Sequence, residues 1–295
     1  MPKIPQKTQT TIWVISISIG VAMGVIAALI FANVFNLHEN ITASDFIAIG
    51  ILLTIAPPSV AFFIDNNWRT GIDTNLPNLL RDIADAQRTG LSLPRAVTES
   101  SKRNYGPLTP ELQKMAAKIS WGIPFDQAMR SFTETADTEL NNRAAILILE
   151  AQRSGGVIED IFDSAQKHVE DILALRKERL GQMKPYIWII YAAFIIFLLV
   201  IVVLFNTFFY PMAEMYTEFQ GNQFANMGLN PQVLESYKIL FLHMTIVEGL
   251  FSGLVAGKMG EGKAKSGLKH SSIMVLIGWI TYKLTIELQL IEINM

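Results

Sequence analysis

The sequence predicts an all-α membrane protein with five transmembrane helices and, between the second and the third, a cytoplasmic bundle of six helices. Hydrophobic residues make up 51% of the 295 residues and charged residues only 17%, whereas soluble domains carry roughly 25% charge. The hydrophobic residues are concentrated in five runs that reach the ~18 residues of a membrane-span candidate. Most of the charged residues lie between the second and the third run.

The apolar runs divide the chain into three parts. The N-terminal part, 1–64, contains a cytoplasmic tail and two spans; the middle part, 65–185, is polar; the C-terminal part, 186–295, contains three spans and a basic inner loop at 258–271. The expected spans are 11–35, 46–64, 186–210, 239–257 and 273–290. Because the first run exceeds the ~7–15 apolar residues of a cleaved signal peptide, we expect an uncleaved signal anchor.

The distribution of basic residues predicts the orientation in the membrane. Lys and Arg near the ends of spans remain in the cytoplasm. With the N-terminus inside, 22 of the 24 Lys and Arg residues fall on the cytoplasmic side, and the outer loops 36–45 and 211–236 contain none. We therefore expect a multi-pass protein of the cytoplasmic or inner membrane with its N-terminus inside and its C-terminus outside.

A short pattern that ends in glycine occurs three times in the polar part. It reads Ile-Ala-Asp-Ala-Gln-Arg-Thr-Gly at 83–90, Met-Ala-Ala-Lys-Ile-Ser-Trp-Gly at 115–122 and Ile-Leu-Glu-Ala-Gln-Arg-Ser-Gly at 148–155. Glycine adopts the left-handed conformation that ends many helices, and Ser92 or Pro124 suits the start of the next helix. Each repeat therefore predicts a helical hairpin whose structural turn residues are Gly90, Gly122, Gly155 and Gly156.

Three hairpins give six helices, because a connection this short makes neighbouring helices antiparallel. The expected helices are 75–89, 92–104, 109–121, 124–136, 139–154 and 157–184. The last of them continues towards the third span with only Pro185 to interrupt it. A proline at this junction either hinges the chain, so that a push on the domain reaches the membrane, or belongs to a plain linker.

The sequence contains no pattern that predicts catalysis, a cofactor or a metal site. It has no GxxxxGK[ST] phosphate loop, no HExxH motif and no Cys, and its four His are scattered. The formal net charge of −2 gives no reason to expect nucleic acid. We therefore expect a protein that is not an enzyme.

Glu248 and Lys283 are ionisable residues inside the last two expected spans. Counted at 1.5 Å per residue from the inner ends, they lie at depths of about 14 Å and about 16 Å, which predicts that Glu248 faces Lys283. Gly249, Gly253 and Gly257 would allow these two spans to approach closely. The pair either only fixes the pairing of the helices or takes part in a proton or ion relay.

A set of short motifs covers the segment from Leu79 to Phe209. They are Leu-Leu-Arg-Asp-Ile-Ala-Asp-Ala-Gln-Arg-Thr-Gly at 79–90, Leu-Ser-Leu-Pro-Arg-Ala-Val at 91–97, Tyr-Gly-Pro-Leu at 105–108, Gly-Ile-Pro-Phe at 122–125 with Ala-Met at 128–129, Glu-Ala-Gln-Arg-Ser-Gly-Gly at 150–156, and Arg-Lys-Glu-Arg at 176–179 before an aromatic-rich span. Together they resemble the F domain of type II secretion systems. That family includes the platform proteins of type IV pili, tight-adherence pili and archaella.

The resemblance implies a non-enzymatic platform that couples a hexameric cytoplasmic secretion ATPase to the insertion or extraction of pilin-like subunits. Many bacterial pilus platforms resemble two such domains in one chain, whereas this chain has one. This departure points to a homodimer or to a heterodimer with a related platform chain. Two alternatives remain open: a membrane transporter or channel, and a membrane-anchored sensor scaffold.

On this resemblance, the candidate ATPase contacts are charged residues near the hairpin turns and in the basic inner loop. The loop could touch either the ATPase or anionic lipid headgroups, or it could serve only as a topology anchor. The candidates are Arg88, Arg95, Arg153, Glu159, Asp160, Lys263, Lys265 and Lys269.

Overall fold

The computed structural model describes residues 4–32, 42–154, 158–218 and 229–287, and no strand occurs in these ranges. The α-helices are α1 (Gln6–Phe31), α2 (Ala43–Arg88), α3 (Leu93–Ser100), α4 (Thr109–Ser120), α5 (Phe125–Thr135), α6 (Glu139–Ser154), α7 (Ile158–Leu204), α8 (Tyr210–Glu218), α9 (Pro231–Glu261) and α10 (Gly267–Tyr282). Short 3₁₀ turns precede α4 and α10, and π-helical turns occupy Phe205–Phe209 and Lys283–Glu287.

The chain forms two compact units, and α2 and α7 have residues in both. The first unit contains Ile64–Gly181; the second contains Pro5–Phe63 and the chain from Gln182 onward. The sequence predicted a separate span and cytoplasmic helix where α2 is one helix. The connecting segment is helical because Trp68 and Ile72 are buried in the core of the first unit and Asp65 pairs with Arg69 one turn later.

The first unit is built around one apolar core. The end of α2, the helices α3 to α6 and the beginning of α7 all contribute to it, through fully buried side chains that include Ile72, Leu112, Ile148 and Phe162. Each of these helices presents apolar residues at three- and four-residue steps on one face, which is the pattern that the core requires.

Glycines in the left-handed conformation end α2 and α4. Gly90 has φ 84° and Gly122 has φ 85°. After each of them the next residue donates a backbone hydrogen bond back into the helix, from Leu91 to Ala86 and from Ile123 to Lys118, which is the Schellman arrangement. The predicted turn glycines Gly155 and Gly156 lie outside the described residues.

The second unit contains the membrane-spanning helices. Four helical segments of the described chain are long and apolar enough to cross a membrane: Lys7–Phe31, Ala43–Arg88, Asp160–Glu218 and Pro231–Glu261. The protein is therefore a multi-pass membrane protein. The expected fifth span falls on α10 and the π-helical turn after it, and 288–290 lie outside the described residues, so the count of five spans stays a prediction.

Helices α9 and α10 form a tight antiparallel hairpin. Gly253 lies against Ser271 and Gly257 against Gly267, so closely that an added Cβ would overlap backbone atoms. The Ser271 hydroxyl donates to the Leu250 carbonyl across this contact at 2.7 Å. Small residues thus let the two backbones meet directly.

The stretch 258–271, which the sequence predicts to be the basic inner loop between two spans, is largely helical. α9 extends to Glu261, the left-handed Gly262 (φ 75°) ends it, and α10 begins at Gly267. Most of the expected loop, 258–271, is therefore helical. Polar residues such as Lys258 continue the helix beyond the apolar run, and the loop between the spans stays a prediction.

Candidate functional site

The turns after α2 and α4 lie at one end of the first unit, because each joins two antiparallel helices. We call this the turn end. Arg95, in the first turn of α3, is exposed. Arg88 pairs with Asp85 and with Asp163 of α7, so this candidate contact also holds two helices of the unit together. Asp160 is exposed near the start of α7.

The other two candidates near the turns cannot be placed. The side chains of Arg153 and Glu159 fall outside what the structure describes, as does the third turn between α6 and α7.

Trp121 is the most prominent exposed side chain of the turn end, and sequence reasoning did not select it. It is 81% exposed and immediately precedes Gly122. The equivalent positions in the other two repeats are Thr89 and Ser154. This difference between the repeats is the sequence signal that could have selected Trp121, because an exposed Trp is a frequent anchor of protein interfaces.

A ladder of three ion pairs joins α2 to α7 within the first unit. The pairs follow each other at intervals of about two helical turns. In the first two pairs the Arg lies on α2, and in the third it lies on α7. They are Arg88–Asp163, Arg81–Glu170 (3.3 Å) and Asp73–Arg176 (3.0 Å). We call this set the α2–α7 ladder; it fixes the register of the two helices.

Tyr105 anchors the Tyr-Gly-Pro-Leu motif to α2. Its buried hydroxyl donates to Asp82, whose other oxygen pairs with Arg103 at 2.6 Å. Burial, with the Asp82 carboxylate as a second cause, raises the pKa of Tyr105 well above its usual 10.0. Pro107 packs on Gly71 of α2, where a side chain would leave no room for the proline ring. The motif is therefore explained by packing.

The α9–α10 hairpin presents basic side chains at its tip. Lys263 and Lys265 are exposed, as their candidate role requires. Lys269 instead pairs with Glu261 at 2.7 Å and lies 5.2 Å from the centre of the Phe63 ring. Lys269 is thus partly neutralised, because its charge is compensated by the end of α9.

The structure gives Lys283 a different partner from the predicted Glu248. Its Nζ lies 2.7 Å from Oδ2 of Asp45 at the start of α2, while Glu248 accepts a hydrogen bond from Ser252. The register of α9 and α10 explains the error. Since Gly253 meets Ser271, Glu248 lies about two helical turns, or about 10 Å, from the level of Lys283.

Asp45 is the centre of a buried polar site in the second unit. It is 3% exposed. Its Oδ2 also accepts hydrogen bonds from the backbone N and hydroxyl of Thr42, and its Oδ1 accepts one from the Trp279 indole at 3.1 Å. The site joins the beginning of α2 to the end of α10. Sequence reasoning had placed Asp45 in an outer loop and therefore missed it.

Two π-helical turns meet beside this site. The turn Phe205–Phe209 contributes to an aromatic cluster with Tyr237, Phe241 and Tyr282. The Tyr210 hydroxyl donates to the Ile286 carbonyl in the turn Lys283–Glu287. π-helical turns often occur at functional positions, and the hydrogen bond from Tyr210 connects these two turns.

No group of three or more His, Asp and Glu side chains in the described ranges is arranged to hold a metal ion.

Comparison with known proteins gives a family match for most of the first unit and for all of α7. Residues 79–205 match the family model described as type II secretion system (T2SS), protein F. The chain is also 26% identical over 255 residues to an uncharacterized protein of Methanocaldococcus jannaschii, a match that covers 85% of this chain and 39% of that protein. No solved structure matches the chain.

Fold and site together define a multi-pass membrane protein with an inserted helical unit that exposes charged turns and an aromatic side chain. Within this chain, residues 79–205 are similar to protein F of type II secretion systems.

Proposed function

We propose that this protein is a non-enzymatic platform of a machine that assembles a type IV filament, such as a pilus or an archaellum-like structure, or of a type II secretion machine. The observation that carries the proposal is the match of 79–205 to protein F of type II secretion systems, in a multi-pass membrane protein. In this role the protein couples a hexameric cytoplasmic secretion ATPase to the insertion or extraction of pilin-like subunits.

The proposed orientation places the first unit, Ile64–Gly181, in the cytoplasm. The N-terminus lies inside and the C-terminus outside, with α10 and the residues after it as a fifth span. The absence of Lys and Arg from 36–45 and 211–236 supports this arrangement. The ATPase then reaches this unit directly.

The turn end is the proposed contact for the ATPase. Trp121 supplies a large rigid apolar anchor, and the exposed Arg95 and Asp160 supply polar contacts around it. Interfaces of this kind take most of their binding energy from a few aromatic and Arg side chains. Lys263 and Lys265 at the hairpin tip are a second proposed contact.

Helices α2 and α7 are the proposed mechanical connection. Both continue from the first unit into the second unit without a break in the helix, and the α2–α7 ladder holds them in register. A displacement of the first unit is thereby transmitted along two continuous helices. Since the chain contains a single match to protein F, we also propose that two platform chains, identical or related, act together.

Co-purification with the secretion ATPase tests the proposal. The wild-type protein in detergent should retain the ATPase on an affinity column, and Trp121→Ala should lose most of it. Ile146→Ala is the matched control, because Ile146 is 65% exposed in the middle of α6, and it should retain the ATPase. Equal retention of the ATPase by both variants would exclude the turn end as its contact. Steady ATP hydrolysis by the pure chain would contradict a non-enzymatic role.

The orientation can be tested with single cysteines, because the natural sequence contains none. Gln232→Cys should react with a membrane-impermeant maleimide added to intact cells. Ser120→Cys, in the first unit, should react only after the membrane is opened. Labelling of Ser120→Cys from outside would overturn the topology.

A further inference from the structure

A stripe of exposed apolar side chains runs along α9 in the second unit. Its members recur at alternating four- and three-residue steps and are between 44% and 64% exposed; they are Leu240, Met244, Val247 and Phe251. We call this set the α9 stripe. These steps are the heptad spacing of a helix that packs along a second helix. The stripe lies on the side of α9 that is turned away from the glycine contact with α10.

Two ionisable side chains flank the α9 stripe, one on each side. At about 100° per residue, His243 and Glu248 lie about 70° to either side of its centre, and both are half-buried. In the described ranges, Nε2 of His243 has no hydrogen-bond partner. Glu248 has no cationic partner there, and its Oε1 accepts a hydrogen bond from the Ser252 hydroxyl at 2.8 Å. Both groups therefore have unused hydrogen-bonding capacity within the span.

These two groups need a partner that their own helix does not provide. An ionisable side chain inside a membrane is costly, and such residues pair with one another or face protein. His243 and Glu248 cannot pair within one α9, because neighbours on a helix surface are three or four positions apart and these two are five apart. Lys283 is already paired with Asp45. The missing partners therefore come from another chain.

A second copy of the same helix supplies both of them. Two copies in one membrane have the same orientation, so their α9 helices run parallel. The heptad of the stripe places Met244 and Phe251 at a and Val247 at d. In that register His243 is a g residue and Glu248 is the next e residue. In a parallel pair a g residue meets the e residue five positions later on the partner, and these positions form interhelical charge pairs.

We propose that the α9 stripe is the contact between two copies of this chain, in which His243 of each copy is hydrogen-bonded to Glu248 of the other. Two-fold symmetry forms this contact twice, and either imidazole nitrogen can make the bond. Lipid would cover the stripe and leave both groups unpartnered. An unrelated helix would have to carry two complementary groups at the same spacing. The proposal rests on the proposed function only in that two platform chains act together, and it makes them identical.

Disulfide crosslinking of the full-length protein tests the contact, because the natural sequence contains no cysteine. Val247→Cys, reconstituted in phosphatidylcholine vesicles without the ATPase and then oxidised, should form a covalent dimer. Ile277→Cys in α10 is the matched control and should remain mostly monomeric. Ile277 is 41% exposed, and it lies at the depth of Val247 because Gly249 meets Val275.

Exchange of the two ionisable residues tests the polar pair. His243→Glu places acids opposite each other and should weaken the dimer about tenfold, the effect of losing two interhelical hydrogen bonds in a membrane. The double variant His243→Glu/Glu248→His restores a complementary pair and should recover the dimer. Energy transfer between copies labelled at Ser120→Cys, measured at increasing lipid dilution, reports the dimer. Thermal unfolding in detergent checks the fold, and His243→Ala replaces His243→Glu if that variant does not fold.

Three results would overturn the proposal. One is equal crosslinking by Val247→Cys and Ile277→Cys. Another is a double variant that dimerises no better than His243→Glu. The third is crosslinking of Val247→Cys in native membranes to a different protein instead of a second copy. None of these measurements involves the ATPase, so a failure of this contact leaves the proposed platform function standing, and a loss of ATPase retention leaves the contact standing.

Discussion

At the scale of single residues, Asp45 and Lys283 connect the beginning of α2 to the end of α10 through one buried ion pair. The Asp45 side chain is 5% exposed and that of Lys283 is 17% exposed. Taking two charges out of water is costly, and their attraction offsets this cost only when both are present. The pair is therefore sensitive to the loss of either partner.

Lys283→Ala should lower the free energy of unfolding by about 3 kcal/mol, because it leaves the Asp45 carboxylate buried without its cation. The double variant Asp45→Asn/Lys283→Gln should recover much of the loss, since it removes both charges. Thermal unfolding in detergent measures this difference. A double variant as unstable as Lys283→Ala would show that the pairing of charges is not the cause.

Tyr105 gives the first unit a dependence on alkaline pH. Burial, with the adjacent Asp82 carboxylate, raises the pKa of Tyr105, so the folded protein keeps the proton at pH values where the unfolded chain has lost it. The stability from this group is fully present below the usual tyrosine pKa of 10.0 and is lost as the pH rises above it.

The free energy of unfolding should therefore decline above about pH 10, by up to about 1.4 kcal/mol per pH unit from this residue. Tyr105→Phe should show a flatter decline, because the titrating hydroxyl is gone. Denaturant unfolding of the wild-type protein and of Tyr105→Phe between about pH 8 and about pH 11 measures how steeply the free energy of unfolding of each protein declines. Parallel curves would contradict the assignment.

At the scale of elements, the α2–α7 ladder contains one pair that is set apart by burial. Asp73 is 7% exposed, and its Oδ1 finds no hydrogen-bond partner in the described part of the chain. Its other carboxylate oxygen, Oδ2, pairs with Arg176. Arg81 and Glu170 are both about half exposed. Exposed pairs contribute little because water screens them.

Arg176→Ala should destabilise the protein by about 1–2 kcal/mol, because the buried Asp73 carboxylate loses its charged partner. Arg81→Ala, the matched control on the same ladder, should change stability by less than about 0.5 kcal/mol. Chemical unfolding followed by circular dichroism distinguishes the two. Equal effects would mean that burial does not decide the contribution of these pairs.

The α9–α10 hairpin depends on a glycine of α9, Gly253, at the contact between the two helices. Gly253→Ala should cost about 1–3 kcal/mol, because the added methyl group overlaps the Ser271 backbone and pushes the helices apart. Gly181→Ala in α7 is the control, since its Cβ meets no atom within 4 Å, and it should be neutral or stabilising by up to about 1 kcal/mol. Thermal unfolding in detergent compares them.

At the scale of the whole molecule, α2 and α7 are the two helices that have residues in both units. α7 continues through Pro185, where the sequence alone left open either a hinge or a linker. The proposed mechanical role therefore depends on the continuity of this helix from the first unit to its apolar second half.

Replacing Lys184 and Tyr186 together by Gly should leave binding of the ATPase unchanged and reduce filament assembly, because each Gly weakens a helix by about 1 kcal/mol relative to Ala. Replacing both by Ala keeps a continuous helix and should preserve assembly. Surface filaments counted by electron microscopy, with ATPase retention measured in parallel, give the answer. Normal assembly by the Gly variant would show that filament assembly does not require a stiff α7.

Much of the local structure follows from the sequence by itself. The hydropathy runs predict a multi-pass membrane protein, and the left-handed Gly90 and Gly122 end their helices where the repeat predicts turns. These features depend on residues close together in the chain, where backbone preference and apolar spacing act. The resemblance to the F domain of type II secretion systems rests on such local motifs, and the family match confirms it.

Only the tertiary structure decided which distant side chains meet. Lys283 pairs with Asp45 and not with Glu248 because the glycine contacts set a register of α9 and α10 that span boundaries do not reveal. The exposure of Trp121 likewise depends on what neighbouring helices leave uncovered. Local preferences are fixed by the residues themselves, whereas register and exposure are set by packing between segments far apart in the chain.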